Sequence, residues 1–326
     1  MTTGAIDLGG QFDRVWSAIE SFAEYFARID LPYLAGALLL SFGLQLCRAH
    51  AWSNALRAAY PDDAVSERGV VGAFLVGAGL NGILPARGGD AVKIVLAKRS
   101  VRESSYPAII SSFAVLAPFD SGIGLLVLLY AITQGLLPDA PELPRLPAFD
   151  VSFWATHPDL LLLAVTLLAI AAIVLYAVLA RRAEAVWKRF VQGVAILREP
   201  RRYLREVAAW QLAGWLLRFG SFWLFLEAFH IGGSAETVLL VMSVLAISGA
   251  LPLTPGGAGA QQALLVATLN GPSRVAVLAY SVGQQIAVTV WSLAVAFITL
   301  GIVFRTGDWK RLVREGKEAR GDPAPS

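Results

Sequence analysis

Long apolar runs separated by short polar ones set the plan of this chain. Leu31 to Leu46 is the first full apolar run, and it stops at Arg48, His50 and Arg57. Gly69 to Leu84 is glycine-rich and ends at Pro85, and a basic segment with Arg87, Lys93, Lys98, Arg99 and Arg102 follows. Tyr106 to Leu137 is long enough to span, with Pro118 and Asp120 interrupting it. Leu160 to Ala180 is the cleanest span, and Val207 to Phe229 is the next. Val238 to Leu269 is apolar but broken by Pro252-Leu253-Thr254-Pro255-Gly256-Gly257, and Val275 to Phe304 is the last run. About 20 apolar residues cross a bilayer as a helix. The pattern therefore predicts an all-α polytopic membrane protein. Residues 10–30 differ. Phe12, Val15, Trp16, Ile19, Phe22, Ala23 and Phe26 recur at helical spacing, with acidic and basic residues between them. This predicts either an amphipathic helix on the membrane surface or a poor first span packed inside the bundle.

Composition agrees with the pattern. The chain has 326 residues, 56% hydrophobic and 16% charged, against about 25% charged in soluble domains. Soluble, disordered and nucleic-acid-binding classes are excluded, and so is a nucleic-acid partner. One cysteine, Cys47, excludes an internal disulfide framework, and three scattered histidines show no ligand spacing. No metal or cofactor is expected. The net charge of +3 matters less than its placement. Basic residues crowd 181–205 and the tail, which predicts that both are cytoplasmic, whereas the mainly acidic 138–159 loop is predicted outside. Trp52, Trp154 and Trp309 are expected as interfacial anchors.

Two segments repeat one another. Asn81 to Ala91 reads N-G-I-L-P-A-R-G-G-D-A, and Ser248 to Ala258 reads S-G-A-L-P-L-T-P-G-G-A. Both breaks expose backbone groups that lipid cannot satisfy, so they belong inside protein or beside a water-filled cavity. A full crossing at 69–99 would bury too many cations. The expected fold is an inverted repeat of span, re-entrant hairpin, span, joined by a connecting span, with a site at the midplane. Two full crossings per hairpin would reach the same ends. The expected divisions are an amphipathic N-terminal segment (1–30), a first membrane repeat (31–137), an extracytoplasmic loop (138–159), a connecting span (160–180), a basic cytoplasmic linker helix (181–205), a second membrane repeat (206–304) and a basic cytoplasmic tail (305–326).

Candidate chemistry gathers at the breaks. Thr254 can cap a helix that starts at Pro255, and Gly256 and Gly257 either let a ligand reach its backbone N–H groups or only permit close helix packing. A phosphate suits such a terminus. In Arg87-Gly88-Gly89-Asp90, Asp90 can cap the following arm, while Arg87 and Lys93 supply cations. The alternative is a loop in which Arg87 pairs with Asp90. Arg218 lies inside its span, either facing a headgroup or paired with Asp120 or Glu227. Asp120 either caps the half-helix after it or binds a proton or cation. Gln261, Gln262, Gln284 and Gln285 either line a polar path or hydrogen-bond between helices.

Three motifs carry a resemblance. N-x-x-L-P-x-R-x-G-[ED] matches Asn81, Leu84, Pro85, Arg87, Gly89 and Asp90. D-R-x-x-G-L matches Asp120, Gly124 and Leu125, with Ser121 in place of Arg. P-x-[ST]-P-G-G-x-G-x-x-E matches Pro252, Thr254, Pro255, Gly256, Gly257 and Gly259, with Gln262 in place of Glu. In these residues the chain resembles the transmembrane flippase region of lysyl-phosphatidylglycerol synthases, from about Leu31 to Phe304. The resemblance implies lipid translocation across a bacterial or archaeal cytoplasmic membrane, without the synthase domain. The expected function is a flippase that moves a phosphate-bearing lipid by alternating access, with membrane lipid as its partner and a homodimer allowed. An ion-coupled transporter of a small soluble solute is the alternative. An enzyme is not expected, because no nucleophile–base pair stands out.

Overall fold

The computed structural model describes residues 28–84, 88–101, 103–134, 187–250, 260–269 and 271–304. The expected 160–180 span, the 138–159 loop, the tail and nearly all of the N-terminal segment lie outside these residues. Among the described residues the chain is helical, apart from an isolated antiparallel bridge between Val65 and Val101.

α1 (Leu31–Ala59) is one helix of 29 residues. Its apolar run ends at Leu46, yet the helix continues because each later charge has a partner. Arg48 pairs with Asp120, while His50 and Arg57 pair with Glu67. Trp52 is fully buried, and its indole donates to Ser112 Oγ at 3.0 Å. This corrects its expected role as an interfacial anchor: an indole N–H with an internal partner can sit in the core.

Ser66 caps α2 (Glu67–Leu80) by accepting from Gly69 N at 3.2 Å. A short turn leads to α3 (Gly88–Ser100). The two arms form a hairpin closed at its base by Ser66 N donating to Ser100 O at 3.1 Å. Near the tip the backbones almost touch. A Cβ on Gly77 would lie 2.8 Å from Gly89 O, and one on Gly89 would strike Gly77 O. Only glycine fits both positions.

The Tyr106–Leu137 run becomes two stacked helices, α4 (Tyr106–Ala114) and α5 (Ala117–Thr133). Pro118 falls in the first turn of α5, where its missing N–H leaves no helical bond unmade. A helical turn (Pro200–Tyr203) and a π turn (Leu204–Ala208) then lead without a break into α6 (Ala209–Ala228). α6 lies antiparallel along α1. Asp30 N donates to Ala228 O at one end (3.0 Å), and Asn54 Nδ2 donates to Glu206 O at the other (2.8 Å). Leucines fill the glycine gaps from both sides: Leu224 against Gly36, Leu217 against Gly43, and Leu40 against Gly220. Small residues let membrane helices approach in this way.

α7 (Ala235–Ala250) and α8 (Ala260–Thr268) pack on each other, and Ser273 caps α9 (Arg274–Val303) by accepting from Ala276 N at 3.1 Å. α1, α4 with α5, and α9 are each long and apolar enough to cross a membrane. α6, with 20 residues, is about 30 Å long and runs beside α1 for its length.

The two interrupted segments converge on α9. Gly72 of α2 sits against Thr299 and Val303, Gly79 against Ala296, and Gly82 at the hairpin tip against Thr289. Thr289 is halfway along α9. From the other side, Gln261 in the first turn of α8 shares a cavity with Gln284, Gln285 and Thr289.

Candidate functional site

The cavity has a volume of about 350 Å³ and lies between α1, α6, α7, α8 and α9. Its walls are apolar at Leu44, Phe222, Phe225, Leu245 and Val288. Its polar groups are Ser41 and Gln45 of α1, Arg218 and Ser221 of α6, Gln261 of α8, and Gln284, Gln285 and Thr289 of α9. Ser221 is used structurally, donating to Ala37 O at 2.9 Å. The amides of Gln45, Gln261, Gln284 and Gln285 have no hydrogen-bond partner among the described residues, although Gln261 and Gln284 are more than 90% buried. An amide left unpaired in an apolar setting costs free energy. Gln45 is half-buried and Gln285 is exposed, so these amides are within reach of a polar occupant or of solvent.

Arg218 supplies the charge. Its guanidinium carbon lies 4.9 Å from the Trp215 ring centroid and 5.7 Å from that of Phe222. Stacking on aromatic faces holds a cation without neutralising it. Among the described residues Arg218 has no carboxylate partner. Asp120 is held instead by Arg48, whose Nη1 and Nη2 donate to Oδ1 and Oδ2 at 3.2 and 2.8 Å, and by Trp215 Nε1 at 3.0 Å. Glu227 accepts from Gly233 N at 2.9 Å, beyond the end of α6. Neither pairing considered for Arg218 from the sequence is formed. Asp120 sits within the first turn of α5, so it is not the N-cap residue; Leu116 occupies that position.

A second polar cluster lies on the hairpin. Asp90 Oδ1 accepts from Asn81 Nδ2 at 3.0 Å and pairs with Lys93 Nζ at 2.8 Å. Lys93 is 5% exposed, and its ammonium lies 4.0 Å from the Phe113 ring centroid and 4.8 Å from that of Phe74. Trp52 completes this aromatic wall, edge-on to Phe113. Asp90 lies within the first turn of α3, which begins at Gly88, and so is not its N-cap.

The lysylphosphatidylglycerol synthase TM region model matches residues 15–296. The chain belongs to that family. No curated protein and no solved structure matches it. Membership in the lysylphosphatidylglycerol synthase TM region family and the long apolar helices make it a multi-pass membrane protein with a lipid-related role.

The thirteen expected site residues divide into five groups. Arg218 and Gln261 line the cavity. Asp120 is one step behind it, joined through Trp215 to Arg218. Asn81, Gly89, Asp90 and Lys93 form the hairpin cluster, where Gly89 faces Gly77 and Asn81 in place of a ligand. Gln262 is half-buried beside Gln261 and is not among the lining residues. Arg87 and Thr254, Pro255, Gly256 and Gly257 lie outside the described residues. Ser41, Gln45 and Thr289 were not expected. Gln45 could have been noticed as a lone amide within an otherwise apolar run.

Proposed function

We propose that this protein is a flippase that moves a phosphate-bearing lipid across the cytoplasmic membrane by alternating access at the α1–α6–α9 cavity. The observation that carries the reading is Arg218: a guanidinium that lines the cavity, stacked on Trp215, with glutamine amides beside it and no salt bridge to a carboxylate among the described residues. An Arg so placed suits a bidentate phosphate. A cavity of about 350 Å³ holds a headgroup and not a whole lipid, so the acyl chains stay in the bilayer.

The proposed flippase includes an inverted repeat. α2 and α3 have 14 and 13 residues, about 20 Å each, too short for a hydrocarbon core of about 30 Å. The hairpin enters from the Arg57 end of α1, which basic residues make cytoplasmic, and its tip reaches Thr289 halfway along α9. α7 and α8 approach the same point from the opposite end. Arg87 follows the hairpin tip, and Thr254–Gly257 precedes α8.

The test is headgroup-labelled phospholipid translocation in proteoliposomes with Arg218→Gln, which keeps length and removes charge. Loss of translocation in a variant with an unchanged melting temperature supports the reading. Translocation at the wild-type rate overturns it. Uptake of a soluble anion driven by a proton or sodium gradient, with no lipid moved, favours a small-solute transporter in the same cavity.

A further inference from the structure

We infer that the base of the α2–α3 hairpin holds an anionic phospholipid, with its phosphate between Arg68 and Arg99 and an acyl chain along the outer face of α9. The site is a groove of about 570 Å³ where the two arms of the hairpin meet the end of α9. Among the described residues it shares no lining residue with the cavity at Arg218. The hairpin supplies a basic wall. Arg68 lies in the first turn of α2 and Arg99 in the last turn of α3. Two contacts bring these ends together. Ser66 N donates to Ser100 O at 3.1 Å, and Gly69 lets the arms close, since a Cβ there would strike the Ser100 side chain. Both arginines are exposed. Among the described residues that line the groove, these two are the ionised side chains. Glu67, beside Arg68 in sequence, turns instead to α1, where it pairs with His50 and Arg57.

The facing wall is aliphatic and aromatic: Ile302, Val303 and Phe304. Phe304 packs inward beside Gly72, but Ile302 is 73% exposed and Ile298, one turn earlier, is 59% exposed. The two isoleucines form an apolar strip that leaves the groove and runs back along α9. α9 is long and apolar enough to cross a membrane, and Arg305 follows its end in the sequence. The groove therefore lies at a bilayer surface, with the strip running into the hydrocarbon. A cation pair at headgroup depth above an aliphatic strip matches the order of groups in an anionic phospholipid. Two guanidinium forks donate to phosphate oxygens from either side. Ser66 Oγ, which accepts from Gly69 N at 3.2 Å, retains its own proton to donate. Each surface cation favours an anionic lipid by about fivefold. A lipid seated here touches both hairpin arms and α9, and so adds to the close contacts of Gly72 and Gly79 that seat the hairpin on α9.

The test places a photo-crosslinker on the strip, Ile302→p-benzoylphenylalanine, in the full chain reconstituted in vesicles of equal parts phosphatidylglycerol and phosphatidylcholine. Mass spectrometry identifies what is captured. Phosphatidylglycerol should be captured about fivefold or more over phosphatidylcholine. Arg68→Gln with Arg99→Gln should bring the two lipids close to parity, whereas Arg68→Lys with Arg99→Lys should keep most of the preference. Should the double glutamine variant fail to fold, Arg68→Gln alone should still lower the preference several-fold. The unaltered protein should also melt higher in phosphatidylglycerol than in phosphatidylcholine, and the glutamine variants should lose that difference. Capture without a preference overturns the inference, as does a preference that survives loss of both arginines. Capture of a peptide, from the residues after Phe304 or from a second copy of the chain, gives the groove a protein occupant and overturns it as well. Lipid capture abolished by inorganic phosphate at the concentration of the lipid would assign the arginines to a soluble anion, with the same result.

Discussion

Arg48 grips Asp120 with both terminal nitrogens, at 3.2 and 2.8 Å, so the carboxylate nearest the Trp215–Arg218 pair is already engaged. Arg48 and Asp120 are each about one-quarter exposed. Two cations and one anion thus share the middle of the bundle, and the surplus positive charge sits on the cavity side.

Breaking that pair should be costly. Asp120→Asn leaves Arg48 without its counter-charge and should lower stability by roughly 3 kcal/mol. Chemical unfolding in detergent measures it. Arg48→Met with Asp120→Asn should recover most of the loss, because neither charge is then stranded. Additive losses in the double variant would show that the two residues act independently.

The cavity amides should show the opposite balance. Gln284 is buried without a partner among the described residues, so Gln284→Leu removes an unpaired group and should leave stability unchanged or raise it by about 1 kcal/mol. Lipid translocation should fall. Melting temperature and liposome assays on the same preparation separate the two effects. A stable variant with full transport would place Gln284 off the substrate's route.

Lys93 should be structural. Its ammonium joins Asp90 to the Phe74 and Phe113 rings. Lys93→Met removes the ammonium from both Asp90 and the aromatic rings and should cost on the order of 1–3 kcal/mol, whereas Lys93→Met with Asp90→Asn should cost less. Urea titration of the two variants decides the order.

The base of the first hairpin should loosen in acid. The Arg57 guanidinium beside Glu67 holds its carboxyl below the ordinary carboxylate range, with His50 adding to the effect. A depressed folded-state pKa contributes stability at neutral pH that is lost as pH falls through the folded value. Thermal unfolding from about pH 6 down to about pH 3 should show a steeper loss for the unaltered protein than for Glu67→Gln. Parallel curves would remove Glu67 from the account. The contribution is small, because the side chain is 42% exposed.

Much of this arrangement is legible in the sequence. Apolar runs located α1, α6 and α9, because span length follows from bilayer thickness. The Leu-Pro break after Asn81 marks the hairpin tip that sits against Thr289, while the Pro-Gly-Gly break lies outside the described residues. What the sequence hid depends on contacts between distant residues. Nothing local says that α1 runs on past Arg48, since its partner lies 72 residues later. Nothing local says that Lys93 is buried, since its aromatic wall comes from α1, α2 and α4. Gln45 looks like any tolerated polar residue until α9 brings Gln284 and Gln285 opposite it.

The leucine-in-glycine fit of α1 and α6 has a consequence for how the molecule is made. α1 leaves the ribosome first, with a cation at Arg48 and empty notches at Gly36 and Gly43. At roughly 5–20 residues per second, the carboxylate for Arg48 emerges about 4–15 seconds later. The Ser221 hydroxyl that donates to Ala37 O lies 184 residues downstream, roughly 10–40 seconds away at that pace. Throughout that interval α1 must be sheltered by the insertion machinery or by neighbouring lipid, so its fate during translation is decided well before its lasting partner exists.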